Sequence, residues 1–469
     1  MKMNKDYRSY TLDQSFSANN LRKIFDLENR KGHYLEGRFF SEEISSKIEE
    51  ITRELKKCHS GYKDLKKNKD SLLSQEYETQ KINLNKKKEE LKDKKEKLLT
   101  ATLEEISKKI TDNSFEIKLK KIQDKKKKDV YTTEEKDAAT YFALKQVQYN
   151  IKKLYQVKQS NRYNILCQLK NLLNDEFPKY VIRTDIKDFF ETIPGYKIEQ
   201  KINHDHLLTT SSKKIIKQIL SEYTRLSGDK NGIPRGVGIS SYLAELYMRS
   251  IDDEICSQKN VIYYARYVDD IIVIYAPQLN SDISNLWQEL TDIISKNNSG
   301  LTANEDKTEL IDLMKPKKDT VEYLEYLGYK IGFGTGTVKL ELTESKIKKY
   351  ESCLSKNFTA YHKTSKFNEQ KARKLLIKRI KFLTSNTRLL NNKENTVIGV
   401  YFSNRLLNDS ISFENIDNYL ENEISKISHE ALKARLSKLS FVEGFSQQRY
   451  ARFTAAELAT IVRVWKHAS

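Results

Sequence analysis

Three aspartates stand where predicted strands end, and aspartate is a residue type that can hold a divalent metal ion. The segment VIYYARYVDDIIVIYA, residues 261–276, places Asp269 and Asp270 between two runs rich in valine, isoleucine and tyrosine. Such runs favour strands, so the acidic pair lies at the turn of a predicted hairpin. Two adjacent carboxylates held by buried strands are unstable unless a cation compensates their charge, and a divalent metal ion is the natural compensation.

A third carboxylate is predicted to join this pair. The segment KYVIRTDIKDFFETIPG, residues 179–195, begins as a strand that ends at Asp185, and Asp188 then opens a helical turn. Together the three aspartates could hold two Mg²⁺ ions about 3.5–4 Å apart, an arrangement that suits in-line phosphoryl transfer. One ion would activate the 3′-hydroxyl of a primer, and the other would hold a triphosphate and its pyrophosphate leaving group.

These residues carry a resemblance to a known family. Tyr267-Val268-Asp269-Asp270 resembles the Tyr-x-Asp-Asp box of reverse transcriptases, and the Asp185 segment resembles their first palm motif. Three further segments match in family order: Gly232–Gly238 resembles the Pro-Gln-Gly loop, Asn304–Thr308 the lysine-bearing motif, and Glu325–Gly328 the primer-grip hairpin. A four-letter motif alone is weak evidence, but the ordered set predicts an RNA-directed DNA polymerase, a nucleotidyltransferase.

The resemblance implies roles for individual residues. Asp185 and Asp269 match the main ligands of two Mg²⁺ ions (or Mn²⁺ as a substitute), Asp270 matches the third carboxylate, and the Ile186 carbonyl contacts metal. Phe190 matches the steric gate against ribonucleotides, so dNTPs are the expected substrates. The residues expected near the nucleotide are Asp188, Phe189, Phe190, Arg235, Gly236, Lys307, Lys158 and Arg162, and those of the primer grip are Tyr326, Leu327 and Gly328. The glycines of the Gly232–Gly238 loop are expected to let the backbone approach substrate closely.

Arg235 departs from the family pattern, which has glutamine at this position. The added charge beside template and nucleotide keeps a second hypothesis open, a template-independent deoxynucleotidyl transferase on the same palm. A third hypothesis, an RNA-binding scaffold without catalysis, conflicts with three intact carboxylates, because an idle site gains nothing from clustered charge.

The predicted fold class is α+β: a right-hand polymerase with fingers, an RRM-like palm and a helical thumb, preceded by a helical or coiled-coil extension. The expected organisation is an N-terminal segment over 1–40, a lysine-rich helical hairpin or coiled coil over 41–128, fingers over 129–180, the palm over 181–340 and the thumb over 341–469. In the extension, Ile44, Ile48, Ile51 and Leu55 follow a coiled-coil spacing, as do Leu84, Leu91 and Leu98. A break is predicted near Ser60–Gly61. Its lysines fit a solvated helix face or a nucleic-acid track equally well.

Charge and composition limit the partners. The net charge is +19 and the pI about 9.3, which favours a polyanion. The absence of an apolar run of spanning length and of a signal peptide predicts a cytoplasmic protein without a membrane partner. Four scattered cysteines make a zinc site or disulfide framework unexpected. Asp252-Asp253 is expected to be a solvent-facing pair in a helix, and Gly332–Gly336 a hairpin turn.

Some details resemble the defence-associated (abortive-infection) bacterial reverse transcriptases. They are Pro178–Tyr180 before the Asp185 motif, and Gly232–Gly236 followed by Ser240–Glu245. Residues 13–20 and 28–32 resemble the first of the paired enzymes in type 3 defence systems. This resemblance implies an antiviral role, a dedicated noncoding RNA as template, a DNA product, and a companion reverse transcriptase in a possible larger complex.

Overall fold

The computed structural model describes residues 12–31, 33–68, 74–124, 127–175, 177–278, 282–296, 299–314, 321–333, 337–389 and 396–466. The chain forms two compact units. The first unit comprises Met1–Lys158 with Phe190–Tyr247, and the second comprises Gln159–Phe189 with Met248–Ser469. These units divide the chain differently from the predicted fingers, palm and thumb. Residues 159–189 pack within the second unit, whereas residues 190–247, predicted as part of the palm, pack within the first.

An antiparallel sheet of four strands organises the second unit. Its order is β4-β5-β3-β6, with β3 at Tyr180–Asp185, β4 at Val261–Tyr267, β5 at Asp270–Tyr275 and β6 at Glu309–Asp312. The helix α11, Ile283–Ser295, connects β5 to β6. Residues Ile271 to Tyr275 of β5 are all buried, as expected of an inner strand whose two faces are covered. This strand order is that of an RRM-like sheet, and the predicted α+β class with a helical N-terminal region is confirmed.

A second sheet and a group of helices complete this unit. The strands β7 at Glu322–Tyr326, β8 at Tyr329–Phe333 and β9 at Lys339–Leu342 form an antiparallel meander. The predicted turn after β8 lies in part outside the described residues. The remaining elements are α6 at Arg162–Asn174, β10 at Asn386–Arg388, β11 at Val397–Gly399, and the helices α12 at Glu344–Ser365, α13 at Glu369–Leu383, α14 at Glu414–Ser425, α15 at Glu430–Leu436, α16 at Phe441–Ser446 and α17 at Ala455–Lys466. One apolar core joins Ile272, Leu324 and Phe358.

Helices dominate the first unit. They are α1 at Ala18–Arg30, α2 at Leu35–Phe39, α3 at Glu42–Lys67, α4 at Ser74–Thr111, α5 at Ala138–Leu154, α8 at Gly195–His204 and α9 at Thr210–Ser227. Two further helices have residues in both units: α7 at Phe189–Thr192 and α10 at Gly238–Ser257. Leu21, Leu103, Phe142 and Ile216 are fully buried, so the apolar faces of α1, α4, α5 and α9 supply the core.

The helices α3 and α4 pack against each other in opposite directions. Thr52 meets Lys95, Glu54 meets Lys87 and Gly61 meets Leu84. The predicted start at Ser41 is confirmed, since its hydroxyl accepts the Ile44 N–H. The predicted break at Ser60–Gly61 is wrong. The helix continues to Lys67, and a methyl group on Gly61 would lie 3.5 Å from the Leu84 side chain, so this glycine serves close helix packing.

The helical character predicted up to residue 128 is also wrong beyond Thr111. The Asp112 carboxylate accepts the Ser114 N–H and ends α4 in a tight turn. A two-stranded antiparallel hairpin follows, with β1 at Leu119–Gln123 and β2 at Asp129–Thr133. Ile117 and Leu119 are buried where the chain enters β1, and the rest of β1 is exposed. Because most of this strand is exposed and rich in lysine, its sequence resembles the lysine-rich helix before it.

No helix in the described ranges is both long and apolar enough to cross a bilayer. Cys58, Cys167, Cys256 and Cys353 are free thiols.

Candidate active site

Three aspartates meet at one end of the four-stranded sheet. Asp185 is the last residue of β3 and pairs directly with Asp270, the first residue of β5. Opposite residues of an antiparallel pair project from the same face of the sheet. Asp269 lies in the turn between β4 and β5, and its carbonyl accepts the Ile186 N–H at 3.1 Å. The backbone ladder therefore brings the predicted carboxylates together.

Asp185 is only 6% exposed, yet its two carboxylate oxygens differ. Oδ2 accepts a hydrogen bond from the Lys307 ammonium at 2.5 Å, whereas Oδ1 is buried and has no hydrogen-bond partner among the described residues. Lys307 comes from the 3₁₀ turn Glu305–Lys307, which follows a backbone bond from Asn304 N–H to the Asp185 carbonyl at 2.8 Å. A buried carboxylate oxygen without a partner is costly unless another group binds it.

The charge of Asp270 is compensated by arginine. The Arg183 guanidinium donates to Asp270 Oδ1 at 3.0 Å and to the Lys307 carbonyl at 2.8 Å. Burial nevertheless raises the pKa of Asp270 above its ordinary value; Arg183 opposes this shift, and the charges of Asp269 and Asp185 add to it. The carboxylates repel one another, so the site favours additional positive charge.

The oxygen atoms at this end of the sheet are the ligand type that a divalent metal ion prefers. In the part of the chain that the structure describes, no three histidine, cysteine or acidic side chains are arranged as a set of metal ligands. Lys307 and Arg183 form ion pairs with Asp185 and Asp270 instead. The oxygen chemistry of three carboxylates and the unpartnered Asp185 Oδ1 still fit a hard cation such as Mg²⁺.

The turn that carries Asp269 is strained. Val268 adopts φ +63°, a left-handed conformation that β-branched residues rarely take. The Arg266 guanidinium holds this turn by donating to the Val268 carbonyl at 2.8 Å. Strain of this kind persists only where surrounding contacts impose it.

Arg266 is itself fixed by an acidic partner in α10. Its side chain is 4% exposed, and it donates to both carboxylate oxygens of Asp252 at 2.8 Å. The Tyr264 hydroxyl donates to the same carboxylate at 2.6 Å. The prediction that Asp252 faces solvent is therefore wrong, although its neighbour Asp253 is exposed. Helical spacing could not reveal that a strand arginine reaches Asp252.

The predicted primer-grip residues form the turn between β7 and β8. Tyr326 pairs with Tyr329 around Leu327 and Gly328, whose φ values are +48° and +74°. The Tyr326 hydroxyl donates to the Asp270 carbonyl at 3.3 Å, so this hairpin contacts β5. Arg162 donates to the Leu327 carbonyl. The structure thus brings Arg162 to this hairpin turn.

Another group of predicted residues lies in the first unit. The Ile233 N–H donates to the Phe190 carbonyl at 2.7 Å, and the Tyr131 N–H donates to the Arg235 carbonyl at 2.7 Å. The Arg235 guanidinium lies 3.7 Å from Asp124 and 3.9 Å from Glu191. The backbone of the Gly232–Gly238 loop is therefore tied to the Phe190 helical turn and to β2, and nearby acids partly compensate the Arg235 charge.

The glycines of this loop serve packing inside the protein. Gly236 has φ +97°, and an added Cβ would lie 2.4 Å from the Val130 side chain. Gly232 has φ +105°, and its Cβ would meet the Tyr223 hydroxyl at 2.3 Å. The expected reason for these glycines, close approach of substrate, was therefore incomplete, because the protein's own side chains already exclude any larger residue.

The remaining predicted residues differ in exposure. Lys158 is exposed in the first unit, Asp188 is exposed with φ +44°, and Phe189 is buried at 3% exposure. The roles predicted for these residues at the nucleotide stay predictions.

Comparison with known proteins gives a family match. Residues 133–331 match the model of the reverse transcriptase (RNA-dependent DNA polymerase) family. None of the curated proteins compared with the chain matches it significantly.

Solved structures similar to the chain include two yeast telomerases. Apo telomerase from Candida tropicalis is 15% identical with a TM-score of 0.37, covering 74% of this chain and 60% of that one. Telomerase from Candida albicans in complex with a fragment of telomeric RNA is 12% identical with a TM-score of 0.31, covering 68% and 53%. This chain thus spans a little over half the length of these structures. Residues 133–331, which match the reverse transcriptase (RNA-dependent DNA polymerase) family, therefore include the strands that bring Asp185, Asp269 and Asp270 together.

Proposed function

We propose that the chain copies RNA into DNA by phosphoryl transfer at Asp185, Asp269 and Asp270, with two Mg²⁺ ions (or Mn²⁺) held by these carboxylates and the Ile186 carbonyl. The observation that carries the proposal is the convergence of three aspartates at one end of the sheet, within the segment that matches the family. One of them, Asp185, has a buried oxygen without a hydrogen-bond partner among the described residues. When bound, the metal ions supply Lewis-acid activation of a primer hydroxyl and charge stabilisation of the triphosphate.

The chain's own residues contribute positioning and charge. The Lys307 ammonium lies against Asp185 and is 57% exposed, so it can reach an incoming phosphate and hold a proton for the pyrophosphate leaving group. Arg183 bridges Asp270 and the backbone of Lys307. Arg183 thereby fixes the position of the Glu305–Lys307 turn relative to the carboxylates, which makes it a positioning residue. Preorganised charge of this kind accounts for much of the rate enhancement in phosphoryl transfer.

Phe190 is proposed as the gate that excludes the ribose 2′-hydroxyl. Its backbone carbonyl is bonded to Ile233, so Phe190→Ala removes the ring without removing that contact. We expect the preference for dNTPs over ribonucleotides to fall by at least about tenfold, as loss of one steric contact commonly does. Competition between dGTP and GTP in primer extension measures the ratio. Phe367→Ala removes a ring that is 91% exposed and serves as control; equal discrimination by both variants would place the gate elsewhere.

The decisive experiment asks whether synthesis depends on RNA. The purified protein with its co-purifying RNA is supplied with labelled dNTPs and Mg²⁺, with and without prior RNase, and the product is sequenced. Loss of synthesis after RNase supports RNA-templated copying. Synthesis that survives RNase supports the template-independent transferase, the hypothesis that Arg235 keeps open. If the complete reaction, including a companion reverse transcriptase, makes no product, the proposal is wrong.

A biological role is part of the same proposal and rests on the motif resemblance. The template would be a dedicated noncoding RNA, the product a DNA strand, the partner a companion reverse transcriptase, and the outcome protection of a bacterial cell against phage. Phage plating on cells that express the complete locus, with the native chain or with Asp269→Asn, tests this role. Equal protection by the native chain and by Asp269→Asn would show that protection against phage does not require DNA synthesis at this site.

A further inference from the structure

An open basic groove runs along α9 in the first unit. The cavity has a volume of about 1030 Å³, large enough for several nucleotide units rather than a single small ion. Its walls are α9, the end of α8 at Asn203, and the segment that leads into β1. The basic groove is defined by the cations that line it, which are Lys118, Lys213, Lys214, Lys217 and Arg225.

The cations of the basic groove are spread along α9. Lys213 and Lys217 are one helical turn apart, and Arg225 lines the groove two turns further on, with Ser221 between them. Residues four apart in a helix are separated by about 6 Å along the axis. This row therefore presents positive charge at several points along the groove to an extended ligand. Lys118 adds charge from the opposite wall.

Glu116 and Glu222 are the acidic residues among those that line the groove, and they leave its lysines in excess. Glu222 compensates Arg225, which donates to it at 2.7 and 2.8 Å, and Glu222 also accepts the Leu119 N–H. These contacts lower the pKa of Glu222, with the Arg225 bond the largest cause. Within the described ranges, Lys118, Lys213 and Lys217 form no ion pair with a carboxylate. On the α3–α4 hairpin, by contrast, lysines such as Lys57 and Lys92 pair with glutamates.

Hydrogen bonds join α9 to the segment that leads into β1 and fix the shape of the groove. Gln218 donates to the Phe115 carbonyl at 2.8 Å, and the Lys214 ammonium lies 3.4 Å from the Asn113 carbonyl. These bonds fix the β1 segment against α9. The N-terminus of α9 opens into the groove at Thr210, where the helix dipole adds partial positive charge. Asn203, Gln218 and Ser221 supply neutral hydrogen-bonding groups beside the cations.

We propose that the basic groove binds the phosphodiester backbone of an RNA strand. Repeating cations with interspersed amides and hydroxyls match phosphate and sugar contacts, which position a nucleic acid without reading its sequence. A protein partner would need apolar or aromatic anchors, and the apolar lining residue Ile117 is buried. A membrane would need a flat basic surface rather than a concave one. The choice of RNA rests on the proposed function.

The test compares two charge-matched triple variants of the full chain. The groove variant carries Lys118→Gln, Lys213→Gln and Lys217→Gln. The control variant carries Lys63→Gln, Lys86→Gln and Lys94→Gln, three exposed lysines of the α3–α4 hairpin. Fluorescence anisotropy with a labelled single-stranded RNA gives the affinity at several salt concentrations. We expect the groove variant to lose roughly tenfold or more in affinity and about 2 units of salt slope, since each lost phosphate contact removes about 0.7.

The outcomes separate the groove from net charge and from the proposed function. An equal loss in both variants would show that only total charge matters and would overturn the inference. Unchanged RNA binding by the groove variant would also overturn it. So would a groove variant that still binds RNA but no longer binds phosphatidylserine vesicles in a parallel sedimentation assay. The affinity for a single-stranded DNA of the same sequence should fall by the same factor, because DNA and RNA share the phosphodiester backbone that the groove is proposed to recognise. Asp269→Asn, assayed in parallel, tests synthesis alone, so either proposal can fail while the other stands.

Discussion

An Asp269→Asn protein is expected to fold and to retain RNA while losing at least about a thousandfold in dNTP incorporation. Asparagine has the shape of aspartate, so the turn between β4 and β5 and the bond from Ile186 N–H to the Asp269 carbonyl are preserved. The lost charge is the one that a metal ion needs. Loss of a single electrostatic contact in a transition state costs roughly a hundred- to a thousandfold, and a metal ligand lies at the upper end.

The folded state should tolerate this change because the carboxylates repel each other. The charge of Asp269 is one of the factors that raise the pKa of Asp270, so removing it relieves repulsion in the free protein. Thermal unfolding and the amount of co-purifying RNA are measured beside incorporation. Asp253→Asn, at an exposed aspartate of α10, is the matched control and should behave as the native chain. Incorporation by Asp269→Asn within tenfold of the control would exclude Asp269 as a metal ligand.

Much of the central sheet was predictable because its signals are local. The β-branched and aromatic runs on either side of Asp269-Asp270 form β4 and β5, and the run before Asp185 forms β3. Because β3 ends at Asp185 and β5 begins at Asp270, the antiparallel pairing of these strands alone brings the two aspartates opposite each other. The position of Lys307 followed from its motif, but its direct bond to Asp185 depends on tertiary packing.

The errors arose where a residue's local preference was overridden by a distant contact. Gly61 suggests a break, but Leu84 packs closely against it and the helix continues. Lysine-rich residues 118–121 suggest helix, but Ile117 and Leu119 are buried where the chain enters β1, and Gln218 of α9 binds the Phe115 carbonyl just before them. Asp252 suggests a solvated helix face, but Arg266 from β4 reaches it. None of these partners lies within a few residues in sequence, so no periodicity could indicate them.

Breaking the contact between Asp252 and Arg266 is expected to have the second large effect. Asp252→Ala would leave a buried guanidinium without its carboxylate, which typically costs about 3–5 kcal/mol. We expect the low end of this range, because the Asp252 side chain is 25% exposed and water can partly replace it. The melting temperature should fall by several degrees, and synthesis should fall at least about tenfold. Asp253→Asn is again the matched control.

A loss of synthesis in Asp252→Ala could reflect instability alone, so a second variant is needed. Replacing the whole contact by Asp252→Leu, Tyr264→Phe and Arg266→Met substitutes apolar groups for all three polar partners. Exchanging a complete buried ion pair for apolar residues is often neutral for stability. The triple variant should therefore unfold near the native temperature, whereas its turn has lost the donor to the Val268 carbonyl.

The triple variant separates a positioning role from a structural one. If Arg266 acts by holding the strained Val268 turn that carries Asp269, synthesis stays low although stability returns, and the apparent Mg²⁺ requirement rises. Adding Val268→Gly should then recover part of the synthesis, because glycine adopts a φ of +63° without strain. Full synthesis by the triple variant would show instead that the contact between Asp252 and Arg266 only stabilises the fold, and that the β-hairpin ladder alone is sufficient to position Asp269.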